Sequence, residues 1–167
     1  MHEDLTTAVD QLMPELRRDL EALIRIPSVS APGYDPGEVR RCAEFTAELY
    51  RNAGFDEVRL LEIDGVHPAV FAEIAAPPGA PTVLLYAHHD VQPPGPDAEW
   101  ETSPCEPYER DGRVYGRGTS DDKAGVVVHT GAIRALGGKP QVGVKVIIEG
   151  EDEFGSTHLG EFLSTYE

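Results

Sequence analysis

The chain has 167 residues, enough for one domain with a buried core. It carries 30 Asp and Glu against 14 Lys and Arg, a formal charge of -16. That balance argues against nucleic acid and anionic membrane surfaces as partners, because both are bound by neutralising phosphates with cationic side chains. No apolar run approaches the ~20 residues of a membrane span. The N-terminal residues lack a basic start followed by an apolar block, so a cytoplasmic protein without a leader is expected. Cys42 and Cys105 stand far apart and outside any CxxC spacing, and are expected to be free thiols.

In chain order, residues 5–26 read as a helix, with Leu12, Leu16, Leu20 and Leu23 near one face and Pro14 marking a start or a kink. Residues 26–37 form a loop. Residues 38–54 form a second helix stopped by Gly54. Strands follow at 56–63 and 69–75, expected as a hairpin or meander. Residues 82–90, "TVLLYAHHD", open as a continuous apolar run, the pattern of a strand buried on both faces. The stretch 91–119 is rich in Pro, Gly and acids. It is expected to be irregular, with one short strand around 113–118; a loop of such length is usually functional. A helix over 121–136 is closed by Gly137 and Gly138, a strand follows at 142–148, and a last helix spans 156–166. Helices alternating with strands predict an α/β fold, a layered mixed β-sheet flanked by helices.

Three polar groups fall at the ends of these elements. His88, His89 and Asp90 finish one strand, Asp121 and Asp122 open a helix, and Asp152 and Glu153 follow another strand. Open α/β sheets bind ligands at the carboxyl ends of their strands. Imidazole and carboxylates meeting there suit zinc, and a cation would relieve the repulsion of crowded acids. The plainer readings are a hydrogen-bonded His89, a helix-capping Asp122 and a solvated acid run. Tyr86 and Trp100 read as packing residues, with Trp100 also able to line a cleft. Lys123 reads as a partner for nearby acids, and Glu151 as a neighbour without a role.

The stretches "YAHHDVQPPG", "YGRGTSDDKAG" and "IIEGEDEFGS", in this order, resemble the three motifs of the M20 family of metallopeptidases, nearest its carnosinase-like dipeptidase branch. "LEALIRIPSVS" and the Trp100–Pro104 spacing fit as well. The resemblance covers nearly the whole chain. It implies a zinc-peptidase-like catalytic domain with two zinc ions, cobalt or manganese being alternative metals. His88 would bind one ion, Asp121 would bridge both and be followed by a cis peptide to Asp122, and Glu153 would bind the second. Asp90 would fix the His88 tautomer, and Asp152 would be the general base acting on a metal-activated water. The implied reaction is hydrolysis of the peptide bond of a dipeptide or similar small substrate. An N-acyl amino-acid deacylase or desuccinylase with the same metal core is the alternative, and a non-catalytic module that binds metal or a partner is another.

Two departures stand out. The family has a Glu pair where this chain has Asp152–Glu153. An aspartate base is one methylene shorter, which displaces its oxygens by about 1 Å, a misplacement able to cost ~100-fold in rate. Asp152→Glu is therefore expected to raise activity. The chain is also much shorter than family members. Residues 1–167 are expected to be the N-terminal portion of the catalytic domain, without the inserted domain that binds substrate and forms the homodimer, and without the remaining ligands. By itself the chain is expected to bind metal weakly, to be inactive, and to expose a sheet edge prone to self-association.

Overall fold

The computed structural model describes residues 2–166. Helix α1 (His2–Ile24) contains Pro14 in its interior and buries Leu16 and Leu23. Helix α2 (Pro36–Ala53) begins two residues earlier than predicted. Asp35 caps it by accepting from the Gly37 N–H, and Pro36 fills the first turn, where a missing N–H costs nothing. It ends at Gly54, whose φ of 100° only glycine adopts freely. Strands β1 (Glu57–Leu61) and β2 (Ala69–Ile74) form the expected antiparallel hairpin.

Strand β3 (Thr82–His88) leads into the long stretch 89–122. That stretch holds an antiparallel hairpin, β4 (Tyr108–Arg110) and β5 (Arg113–Tyr115), of which only the second strand was expected. Its turn places Asp111 and Gly112 at φ 53° and 73°, the left-handed pair that a two-residue hairpin loop requires. Helix α3 (Lys123–Ala135), strand β6 (Gly143–Glu149) and helix α4 (Leu159–Thr165) complete the chain. The last helix starts later than predicted because residues 152–154 form a short 3-10 turn and Ser156 sits at φ 50°, outside helical space.

The main sheet runs β1-β2-β6-β3, antiparallel except for the β6–β3 pair. Helices α1, α2 and α3 cover one face. Leu23, Ala43, Ala47, Tyr50, Val126 and Ile133 pack there on Val70, Ala72, Val144, Val146 and Ile148. On the opposite face Phe162 of α4 packs on Leu61, Ala69 and Ile147. The fold is thus the predicted layered mixed sheet, and β6 is buried on both sides.

The expectation of a doubly buried strand at 82–90 is corrected. β3 is an edge strand, and Thr82, Val83 and Leu84 are exposed, Leu84 at 67%. The apolar run at that end of the strand therefore meets solvent.

Candidate metal centre

The parallel register of β3 and β6 pairs His88 with Glu149, so the two strands deliver their following loops side by side. Period-two alternation puts Leu84, Tyr86 and His88 on one face. The loop after His88 is stitched to the loop after α1. Ser28 donates to the His89 carbonyl (2.7 Å), Val91 N–H donates to the Ser28 carbonyl (2.9 Å), and Ser30 Oγ donates to Asp90 Oδ2 (2.6 Å). The loop after β6 crosses close beneath. A Cβ on Gly150 would lie 2.8 Å from both the Pro68 carbonyl and the His89 ring, so only glycine passes there. The turn before α3 brings up Asp121, which is joined to Asp122 by a cis peptide.

His88 is buried, and its Nδ1 faces the Asp90 carbonyl at 3.1 Å and Asp90 Oδ1 at 3.3 Å. Nδ1 therefore carries the donated proton, and Nε2 is aimed at Asp121 Oδ1 (3.1 Å) and Asp152 Oδ2 (3.5 Å). Asp90 is fully buried and also accepts from the Glu153 N–H (3.1 Å), which ties the β6 loop to the β3 loop. Gln92 Nε2 donates to Glu153 Oε2 (2.7 Å), orienting that carboxylate. One ligand atom each from His88, Asp121 and Glu153 lies within 4.8 Å of the others.

Burial works against a charged His88, but the hydrogen bond and charge of Asp90, then the charge of Asp152, outweigh it and push the imidazole up to about 9. Burial likewise opposes ionisation of Asp90, and its bonds from His88 and Ser30 reverse the sign and hold the carboxyl below its usual range. One imidazole nitrogen and two carboxylates, converging with a buried acid behind the imidazole, form a donor set that fits a divalent cation.

All five residues predicted for the site, His88, Asp90, Asp121, Asp152 and Glu153, fall in this cluster. His89 and Asp122 follow their plainer readings. His89 Nε2 lies 2.9 Å from the Pro68 carbonyl, and Asp122 caps α3 through the Gly125 N–H.

Three expectations are corrected. Tyr86 is not a packing residue, because its hydroxyl bridges Glu149 and Asp152. Burial first, then those two bonds, push its phenol up. Among the described residues Lys123 pairs with no acid. Its buried ammonium donates to the carbonyls of Leu23 (2.8 Å) and Ile26 (2.6 Å) at the end of α1. Glu151 is buried and clamps the loop, accepting from the His67 N–H (3.2 Å) and pairing with His158 Nδ1 (2.7 Å).

Sequence reasoning missed Glu149, Gln92 and Ser156. An acid closing the apolar run 142–148 was the available signal for Glu149. A cavity of about 430 Å³ is walled by Trp100, Tyr108 and Tyr115 and reaches Thr119 and Ser120, which precede Asp121 in the chain; none of the five clustered residues lines it.

The family model "Peptidase family M20/M25/M40" matches residues 84–166, which contain all five clustered residues. The chain belongs to this M20 family. The cysteinylglycine-S-conjugate dipeptidase of Corynebacterium striatum is 34% identical over 159 residues, covering 91% of this chain and 34% of that protein. The Cys-Gly metallodipeptidase of Candida albicans is 32% identical over 178 residues, covering 97% of this chain and 37% of that protein. The crystal structure of human carnosine dipeptidase 1 superposes with a TM-score of 0.84 at 29% identity, covering 98% of this chain and 37% of that one. The chain thus spans about a third of the length of the curated M20 relatives it matches.

Proposed function

We propose that this chain carries the metal-binding and proton-transfer part of a zinc-dependent M20 dipeptidase. His88 Nε2, Asp121 and Glu153 would hold the metal. The observation that carries the reading is the convergence of these three ligand atoms within 4.8 Å of one another, with Asp152 beside them. A bound zinc ion would lower the pKa of the attacking water and polarise the scissile carbonyl.

The chain's own residues supply the rest. Asp90 holds the His88 proton on Nδ1 and so keeps Nε2 free as a donor atom. Gln92 fixes one oxygen of Glu153. Asp152 takes a proton from the attacking water and passes it to the leaving amine, so the acid is restored at the end of each turn. The cavity that reaches Ser120 offers room for a small peptide, with Trp100 and Tyr115 as apolar walls. We assign the remaining ligands and the substrate-binding domain to the part of the relatives that has no counterpart in these 167 residues. Accordingly, residues 1–167 alone are expected to bind metal without turning over dipeptides.

The test is a chimera in which residues 1–167 replace the matching third of the Corynebacterium striatum dipeptidase. Zinc-dependent dipeptide hydrolysis is expected, and Asp152→Asn is expected to lower it by ~100-fold or more. A chimera that binds zinc and folds but leaves dipeptides intact would contradict the assignment, as would undiminished hydrolysis by its Asp152→Asn variant.

A further inference from the structure

Neither Tyr86 nor Glu149 has a part in the metal-binding reading, yet both sit against its base. Glu149 ends β6 opposite His88 and is 2% exposed. A carboxylate so deep is tolerated only when its oxygens are hydrogen-bonded. Its Oε1 accepts from Ser156 Oγ (2.8 Å) and from the Tyr86 hydroxyl. The same hydroxyl lies 2.9 Å from Asp152 Oδ1. The one phenolic proton is thus shared between a buried, immobile acid and the acid at the mouth of the site.

The backbone around Asp152 is held by Glu151 and by the Glu153 N–H, but its side chain has little else to hold it among the described residues. It opens the 3-10 turn Asp152–Phe154, and the residue before it makes no side-chain capping bond. Its other side-chain contact is to His88 Nε2, 3.5 Å from Oδ2. That contact is lost once Nε2 serves a cation, because the nitrogen has one lone pair. The Tyr86 bond then remains. It occupies Oδ1 and turns Oδ2 towards the donor cluster, where a proton must be collected.

We infer that Tyr86, anchored by Glu149, is a positioning residue that sets the aspartate base. Side-chain length alone would leave the aspartate short, and the phenol compensates by fixing which oxygen faces the site. This inference rests on the reading of Asp152 as the base.

The test uses the 167-residue chain with and without zinc. Three-bond couplings to Asp152 Cγ report its χ1 rotamer by NMR. A single rotamer is expected in the zinc-bound wild type. Rotamer averaging is expected in Tyr86→Phe and also in Glu149→Gln, where the phenol loses its anchor. Zinc affinity is expected to stay unchanged in Tyr86→Phe, because no metal donor is touched. A single retained rotamer in both variants would overturn the inference. So would loss of zinc binding in Tyr86→Phe, which would assign the phenol to the architecture of the metal cluster. The base reading fails on a different measurement, hydrolysis by the Asp152→Asn chimera, so the two failures are distinguishable.

Discussion

At the scale of single residues, Asp90 joins the separate parts of the site. It is fully buried, and it meets His88, Ser30 and the Glu153 backbone at once. One carboxylate therefore sets the tautomer of one proposed ligand and the position of another. Asp90→Asn keeps the shape but removes the charge and presents an amide where an acceptor is needed. Its zinc affinity is expected to fall ~10–100-fold, the usual cost of losing the acid behind a ligating imidazole. Calorimetric titration measures this, and unchanged affinity would show that Asp90 serves the loops alone.

At the scale of elements, the position of Asp121 depends on how α3 begins. Two residues on, the Lys123 ammonium binds the Leu23 carbonyl in the last turn of α1 and the Ile26 carbonyl just beyond it, and the helix has no basic residue in its own last turn. A cation there adds a charged bond to carbonyls that also accept from the Ile26 and Ser28 N–H groups, and it favours the negative end of the helix dipole. Lys123→Met keeps the stem but removes both ammonium bonds, leaving the Leu23 and Ile26 carbonyls with only the Ile26 and Ser28 N–H groups, so a loss of ~1–3 kcal/mol is expected, read as a lowered Tm. An unaltered Tm would remove this junction from the account. The same elements mark how far the sequence was legible. Helices α2 and α3 were readable because Gly54, Asp122 and the Gly137–Gly138 pair are local signals, whereas the Asp35 cap that starts α2 two residues earlier was passed over as loop. Strand ends and helix starts marked His88, His89, Asp90, Asp121, Asp122, Asp152 and Glu153 as candidates, and the resemblance to the M20 motifs picked out the five that cluster. Strand β4 was missed because "YER" has no apolar alternation, although Asp111–Gly112 signals a hairpin turn. The burial of β3 was misread because an apolar run does not reveal whether a neighbour covers it. Lys123 and Tyr86 were misread because their partners lie 97 and 63 positions away, beyond any local pattern.

At the scale of the whole molecule, β3 presents an open parallel edge with Val83 and Leu84 exposed. Unpaired strand groups beside apolar side chains favour edge-to-edge association. The charge of -16 opposes it, and salt screens that repulsion. Sedimentation velocity is expected to show association that strengthens with ionic strength and is reversed by Leu84→Lys. A chain that stays monomeric at every salt concentration would contradict this. In the proposed function His88, Asp121 and Glu153 together hold a divalent metal. Zinc titration of the 167-residue chain, followed by calorimetry, tests it most directly. Uptake of zinc is expected, lost in His88→Ala and in Glu153→Gln while circular dichroism shows the fold retained. Absence of zinc uptake by the folded wild type, or uptake undiminished in both variants, would contradict it.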